Sequence, residues 1–155
     1  MNNLKNNENN QKVIGVLNPV LAGMLHITLG AKYAHWNVKG RHFISLHELF
    51  DKVFESLLDG TDMIAERIIQ LGSVAQSSPS WILKNTFLKD LNHETSSSEE
   101  YITFIVDSLK TLATRIKEGI THINELDVAT ADLLTEVLRN LDVYIWKVGA
   151  HLEEK

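Results

Sequence analysis

Residues 32–67 read K-Y-A-H-W-N-V-K-G-R-H-F-I-S-L-H-E-L-F-D-K-V-F-E-S-L-L-D-G-T-D-M-I-A-E-R. Four side chains in this stretch are good ligands for a small cation: His35, His47, Asp62 and Glu66, with Asp51 as a fifth candidate. Imidazole and carboxylate together suit iron, zinc or manganese better than calcium or magnesium. From residue 43 to 71 the chain reads as one long helix, because Leu46, Phe50, Val53, Leu57, Ile64, Ile68 and Leu71 recur at helical spacing and form a core stripe. At roughly 100° per residue, His47, Asp51, Phe54, Leu58, Asp62 and Glu66 fall on a second face. At a rise of roughly 1.5 Å per residue, His47 and Asp62 are about 22 Å apart along the axis, too far for one metal site.

That stripe carries ligands at both ends and large apolar groups in the middle. An antiparallel second copy would bring the Asp62/Glu66 end of one chain to the His47/Asp51 end of the other, with Phe54 and Leu58 packing at the crossing. The result is a two-fold interface with two identical metal sites, each built from both subunits. Histidines and carboxylates on a helix also describe an ordinary solvated face, but an apolar pair inside the ligand stripe has no use on a monomer surface.

The runs H-W-N-V-K-G (35–40), L-H-E-L-F-D (46–51) and D-M-I-A-E-R-I-I-Q-L-G (62–72) resemble the Dps family, the miniature ferritins known as DNA-binding proteins from starved cells. Spacings of 12, 15 and 4 separate His35, His47, Asp62 and Glu66, and the similarity extends over residues 17–152, including A-D-L-L-T and L-D-V-Y-I-W. The resemblance implies an all-α, ferritin-like four-helix bundle, a homo-dodecameric hollow shell built from two-fold dimers, and a ferroxidase centre at the dimer interface. It further implies that Fe(II) is oxidised, with hydrogen peroxide as the expected oxidant, and stored as ferric oxide, protecting the cell from oxidative damage. On this resemblance His35, His47, Asp62 and Glu66 are iron ligands, Asp51 lies in or just behind the coordination sphere, Lys32 neutralises the carboxylates, and Trp36 stands beside the site. Asp127, Asp132 and Glu136 are candidates for an acidic iron-entry pore, although acids at a helix start are also ordinary dipole partners. Zinc or manganese could occupy the same ligands.

The 155-residue chain fits one domain with a real core. Two prolines and eight glycines favour long helices. No run of about 18 apolar residues stands out as a membrane span, and the first residues carry no apolar stretch typical of a secretory signal, so a cytoplasmic location is expected. The absence of cysteine excludes thiolate metal sites. A net charge of −5 per chain, about −60 for a shell of twelve, should repel DNA and attract cations.

Residues 1–12 read as a disordered, asparagine-rich tail, with 13–155 as the folded domain. Lys5 and Lys12 against Glu8 make that tail a weak partner for DNA. Asn18-Pro19 reads as the start of a first helix over roughly 19–38, with Val20, Met24, Ile27 and Ala31 inward and Gly40 as its stop. His26 on this helix reads as a packed or interface histidine. The long connection 73–96 contains P-S-W-I-L-K, a possible short helix between the second and third bundle helices, and a surface His93. Ser97 and Glu100 form a capping box for a third helix with Ile102, Ile105, Leu109, Leu112, Ile116, Ile120 and Ile123 inside. Glu118 and His122 read as a surface pair. Thr130 is the expected cap of a last helix, near 131–152.

Two short connections and one long one suit two antiparallel hairpins joined by a crossover. No Glu-x-x-His occurs in the chain, so the di-iron site of an ordinary ferritin bundle is absent, in agreement with a site displaced to an interface. Two rival functions stand beside this one: a DNA-compacting structural protein, disfavoured by the acidic body, and a zinc- or manganese-binding shell without oxidase activity.

Overall fold

The computed structural model describes residues 2–92, 94 and 97–152, with backbone alone for residues 2–6. The described residues form five helices and no strand: α1 (Asn2–Asn37), α2 (Phe43–Gln70), α3 (Pro79–Asn85), α4 (Ser98–Ile123) and α5 (Val128–Gly149). The bundle consists of α1, α2, α4 and α5; α3 lies on the connection between α2 and α4 and packs against α1. Short turns join α1 to α2 and α4 to α5, so each pair runs antiparallel. Gly40, at φ 102°, makes the first turn in a region that favours glycine. His93, expected at the surface, lies outside the described residues.

Apolar periodicity explains the packing. Leu17, Leu21, Met24 and Ile27 of α1, Leu46, Phe50, Leu57, Ile64 and Ile68 of α2, and Ile105, Leu109 and Leu112 of α4 meet fully buried at the centre, with Leu134 and Val137 of α5 closing the fourth side. The expected capping box and the short helix of the connection both form. Ser97 accepts from the Glu100 N–H while the Glu100 carboxylate takes the Ser97 N–H, a complete capping box. Ser78 caps α3 with Pro79 in its first turn, and Trp81 packs on the core.

The first helix corrects the sequence reading. Helix α1 does not start at Asn18-Pro19 but runs through them, and residues 2–12, expected as a disordered tail, continue the helix upstream. The reason is burial: Val13, Ile14 and Leu17 extend the apolar stripe upstream of Val20 and are sealed in the core. The pressure is close enough that a Cβ at Gly119 of α4 would lie 2.6 Å from Val16 Cγ1. Asn10 also ties this segment down, donating from Nδ2 to the Leu71 carbonyl at the end of α2 (3.3 Å). Pro19 deprives the Gly15 carbonyl of its helical partner, but Gly15 is exposed, so that carbonyl is not sealed from water. Residues 7–37 also form a helix long and apolar enough to cross a membrane, contrary to expectation, yet more than half of that apolar window is buried inside the bundle.

The last helix differs in its cap. Asp127, not Thr130, is the N-cap of α5: its carboxylate accepts from the Thr130 N–H at 3.1 Å and from the Thr130 hydroxyl. Arg67 of α2 completes the joint, donating from Nη2 to Asp127 at 2.9 Å and from Nε to the Thr130 hydroxyl at 2.8 Å. Burial pushes the Asp127 carboxyl up, but these hydrogen bonds outweigh it and hold the group below the usual carboxylate range.

If the upstream half of α1 belongs to the core, Leu17→Ala should lower stability by about 2–5 kcal/mol, the usual cost of a buried leucine. Guanidinium unfolding of both proteins at equal concentration measures it. A change within about 0.5 kcal/mol, typical of surface sites, would mean that the helix effectively begins at Pro19.

Candidate metal centre

Opposite ends of two helices build the histidine half of the site. His35 lies at the end of α1 and His47 in the second turn of α2, so the tight turn through Gly40 brings them face to face. Their rings stack with centroids 3.7 Å apart and planes 21° from parallel. Each imidazole is clasped by the other residue's backbone: His35 Nδ1 donates to the His47 carbonyl at 2.7 Å, and His47 Nδ1 donates to the His35 carbonyl at 2.8 Å. A carbonyl can only accept, so both Nδ1 atoms carry the proton, and in the neutral form of each ring the lone pair is on Nε2. This is the tautomer a metal ligand needs, fixed by a hydrogen bond from the other nitrogen.

Asp51, one turn after His47, stands beside this pair. Lys32 donates to its Oδ1, while the Lys32 ammonium sits 4.6 Å from the centre of the Phe54 ring. The hydrogen bond from Lys32 is the main reason the Asp51 carboxyl is held below its ordinary value; burial opposes it, and the charge of Lys32 and the nearby His35 and His47 add to it. The expected neutralising role of Lys32 therefore has a specific partner.

The carboxylate half is elsewhere. Asp62 and Glu66 lie exposed near the far end of α2, about 22 Å and about 28 Å from His47 along the helix. Among the described residues, no group of three or more His, Asp or Glu side chains gathers closely enough within one chain to hold a metal ion. Between the two halves, Phe54 is partly buried and Leu58 is 49% exposed. Trp36, next to His35, is 68% exposed, and Ile44 also projects outward. Ligands and uncovered apolar side chains thus share one side of the molecule.

The other candidates separate. Asp127 is engaged by Arg67 and Thr130, whereas Asp132 and Glu136 project from α5 into solvent. His26 is packed: Nδ1 meets the Thr86 hydroxyl at 3.0 Å and Nε2 the Asp90 carboxylate at 2.9 Å, tying the long connection to α1. His122 turns back to the Glu118 carbonyl of its own helix at 2.6 Å. Two features escaped the sequence reading. Phe43 lies against His47, and its position one turn earlier on the ligand stripe was the available signal. Arg67, the anchor of α5, carried no signal, because its partners are 60 and 63 residues away.

Lys32→Met should let the Asp51 carboxyl rise toward its ordinary value near 3.8. In the wild type, a depressed carboxyl contributes stability above its unfolded value and loses it as pH falls through the folded one. The stability difference between wild type and variant should therefore be present near neutrality and vanish below the Asp51 transition. Infrared titration of the Asp51 carboxyl, assigned with Asp51→Asn, reads this directly; an unchanged midpoint would show that Lys32 does not control it.

A family model described as "Ferritin-like domain" matches residues 14–155. The DNA protection during starvation protein of Agrobacterium fabrum is 36% identical over 144 residues, covering 92% of this chain and 89% of the relative. That of Mycolicibacterium smegmatis is 32% identical over 129 residues, covering 83% and 69%. Among solved structures, Dps from Mycobacterium smegmatis in a tetragonal form superposes with a TM-score of 0.91 at 28% identity, covering 96% of this chain and 90% of that one. Dps from Microbacterium arborescens, solved in what is called its high iron form, gives 0.89 at 31% identity, covering 95% and 96%. With a ferritin-like match across nearly its whole length and relatives of this kind above 30% identity, the chain belongs to the ferritin-like proteins and, within them, to the Dps family.

Proposed function

We propose that this protein is a ferroxidase and iron store: it takes up Fe(II), oxidises it with hydrogen peroxide at sites shared between two subunits, and keeps the ferric oxide inside a hollow shell of twelve. One observation carries the reading. The histidines and the distant carboxylates lie on the same side of the chain, yet no single chain gathers three of them. A two-fold partner supplies what each half lacks and covers Leu58, Trp36 and Ile44. The family, and the high iron form of one structural relative, support the choice of iron over zinc or manganese, which the same donors would also accept.

The residues divide the work. His35 and His47 present Nε2 lone pairs held by their backbone clasp. Asp62 and Glu66 of the second subunit supply anionic oxygens, which favour the ferric product over the ferrous substrate. Asp51, kept ionised by Lys32, adds negative charge on the histidine side. Trp36 stands at the rim and packs against the partner chain. Two Fe(II) ions give two electrons to one hydrogen peroxide, which takes up two protons and leaves as two waters, so no hydroxyl radical is released. Asp132 and Glu136 are the acids we assign to iron entry.

The shell has a mass of about 210 kDa, twelve times 17.5 kDa, and resides in the cytoplasm. At −5 per chain it binds DNA weakly or not at all at physiological salt. Protection of DNA then follows from removing peroxide and Fe(II) rather than from coating the duplex.

Anaerobic stopped-flow mixing of Fe(II)-loaded protein with hydrogen peroxide, beside a parallel run in air, tests the proposal. We expect fast oxidation with two Fe(II) consumed per peroxide and slower oxidation by oxygen. A rate no greater than that of His47→Ala, or of Fe(II) without protein, would refute it. So would light scattering that finds a monomer at micromolar concentration.

A further inference from the structure

We propose that Phe43 is a positioning residue for the metal centre, the aromatic support that holds His47 in its ligand orientation. This deepens the shared-site reading and rests on it. Phe43, His47 and Asp51 follow one another at i, i+4 and i+8 on α2, so they occupy successive turns of one face. The Phe43 ring lies 5.0 Å from the His47 ring, tilted by 35°, while His47 stacks at 3.7 Å on His35. His47 thus has an aromatic neighbour in each of two residues, and the spacing to Phe43 is typical of favourable ring pairs.

The support matters because the start of α2, although anchored by buried Leu46 and by the Phe43 N–H on the Gly40 carbonyl, lacks side-chain capping. Its N-cap residue, His42, makes no side-chain capping hydrogen bond, and the first turn carries no acidic residue. An uncapped first turn leaves backbone N–H groups without partners and tends to fray. Phe43 is the first residue of that turn, and His47 rides on the next. Fraying would carry the His47 carbonyl away from His35 Nδ1, and the His47 ring away from the His35 carbonyl, opening both halves of the clasp at once. A ring at position 43 opposes this by packing on the imidazole itself. With 38% of its surface exposed, Phe43 also has a face left for the partner chain. The test must therefore separate support of the histidine from filling of the interface.

The probe is Co(II), whose visible absorption reports ligand geometry without turnover. It is titrated into whole assembled protein carrying Phe43→Leu, which keeps apolar volume but removes the ring, and Phe43→Tyr, which restores the ring. Ile44→Ala, a neighbouring exposed apolar position, controls for interface area, and His47→Ala controls for the site. We expect Phe43→Leu to weaken Co(II) binding about tenfold and alter its spectrum, in the range known for residues that orient metal ligands, with Phe43→Tyr close to wild type and Ile44→Ala little changed. Wild-type affinity in assembled Phe43→Leu overturns the proposal. So does an equal loss in Ile44→Ala, or a Phe43→Leu protein that no longer assembles, since either makes Phe43 an interface filler. If His47→Ala also binds Co(II) as wild type does, the site itself has been misplaced, which is a different failure.

Discussion

A helix is a rigid ruler, and the rest of this structure depends on that. Once α2 is committed over Phe43–Gln70 by its buried stripe of Leu46, Phe50, Val53, Leu57, Ile64 and Ile68, the distance between His47 and Asp62 is fixed. No side-chain rotation bridges about 22 Å. The four donors are either unrelated surface groups or halves of a site completed by another chain. The apolar groups between and beside them favour the second reading, because Leu58 at 49% and Trp36 at 68% exposure are poorly placed on a lone subunit. On the proposed reading, fold and function are coupled through one interface: the side that lacks a hydrophobic cover is the side that lacks ligands.

On the proposed reading, the histidine side is prepared before any metal arrives. The reciprocal Nδ1 hydrogen bonds use backbone carbonyls, so the clasp depends on the relative placement of α1 and α2 rather than on a third side chain. That placement is set by the turn at Gly40 and by core packing along both helices. Lys32 then manages the charge. It pairs with Asp51 and lies over Phe54, linking the ligand end of the stripe to its apolar middle. Rigid elements hold the ring nitrogens, and an ion pair on the same face holds the carboxylate in its ionised state.

Much of this was legible in the sequence, for identifiable reasons. The core stripe of α2 is periodic over about seven turns and the ligand stripe over about five, and periodicity of that length survives any local irregularity. The Ser97/Glu100 box is a local signal whose partners lie within three residues, and it formed as expected; the short helix over P-S-W-I-L-K formed too, with Ser78 as a cap that the sequence reading had not assigned. The Asn18-Pro19 signal was just as local, yet burial of Val13, Ile14 and Leu17 overrode it, because three sealed apolar side chains outweigh one lost helical hydrogen bond. Thr130 reads locally as a cap, yet Asp127 takes that place with the help of Arg67 from α2, a long-range partner invisible to local reading. The histidine pair was legible as chemistry but not as geometry. Nothing in a spacing of 12 states that each ring will bond the other's backbone.

The central claim is that each metal centre draws ligands from two chains, and subunit mixing tests it most directly. His47→Ala and Glu66→Ala chains, each inactive alone, are co-assembled in equal amounts and mixed shells are verified by mass spectrometry. If each site takes His47 from one chain and Glu66 from the other, every mixed dimer holds one doubly damaged site and one intact site. Random pairing then restores rapid Fe(II) oxidation at about a quarter of all sites. If all four ligands came from one chain, no combination of the two variants could make a whole site, and verified mixed shells with no recovered activity would contradict the account.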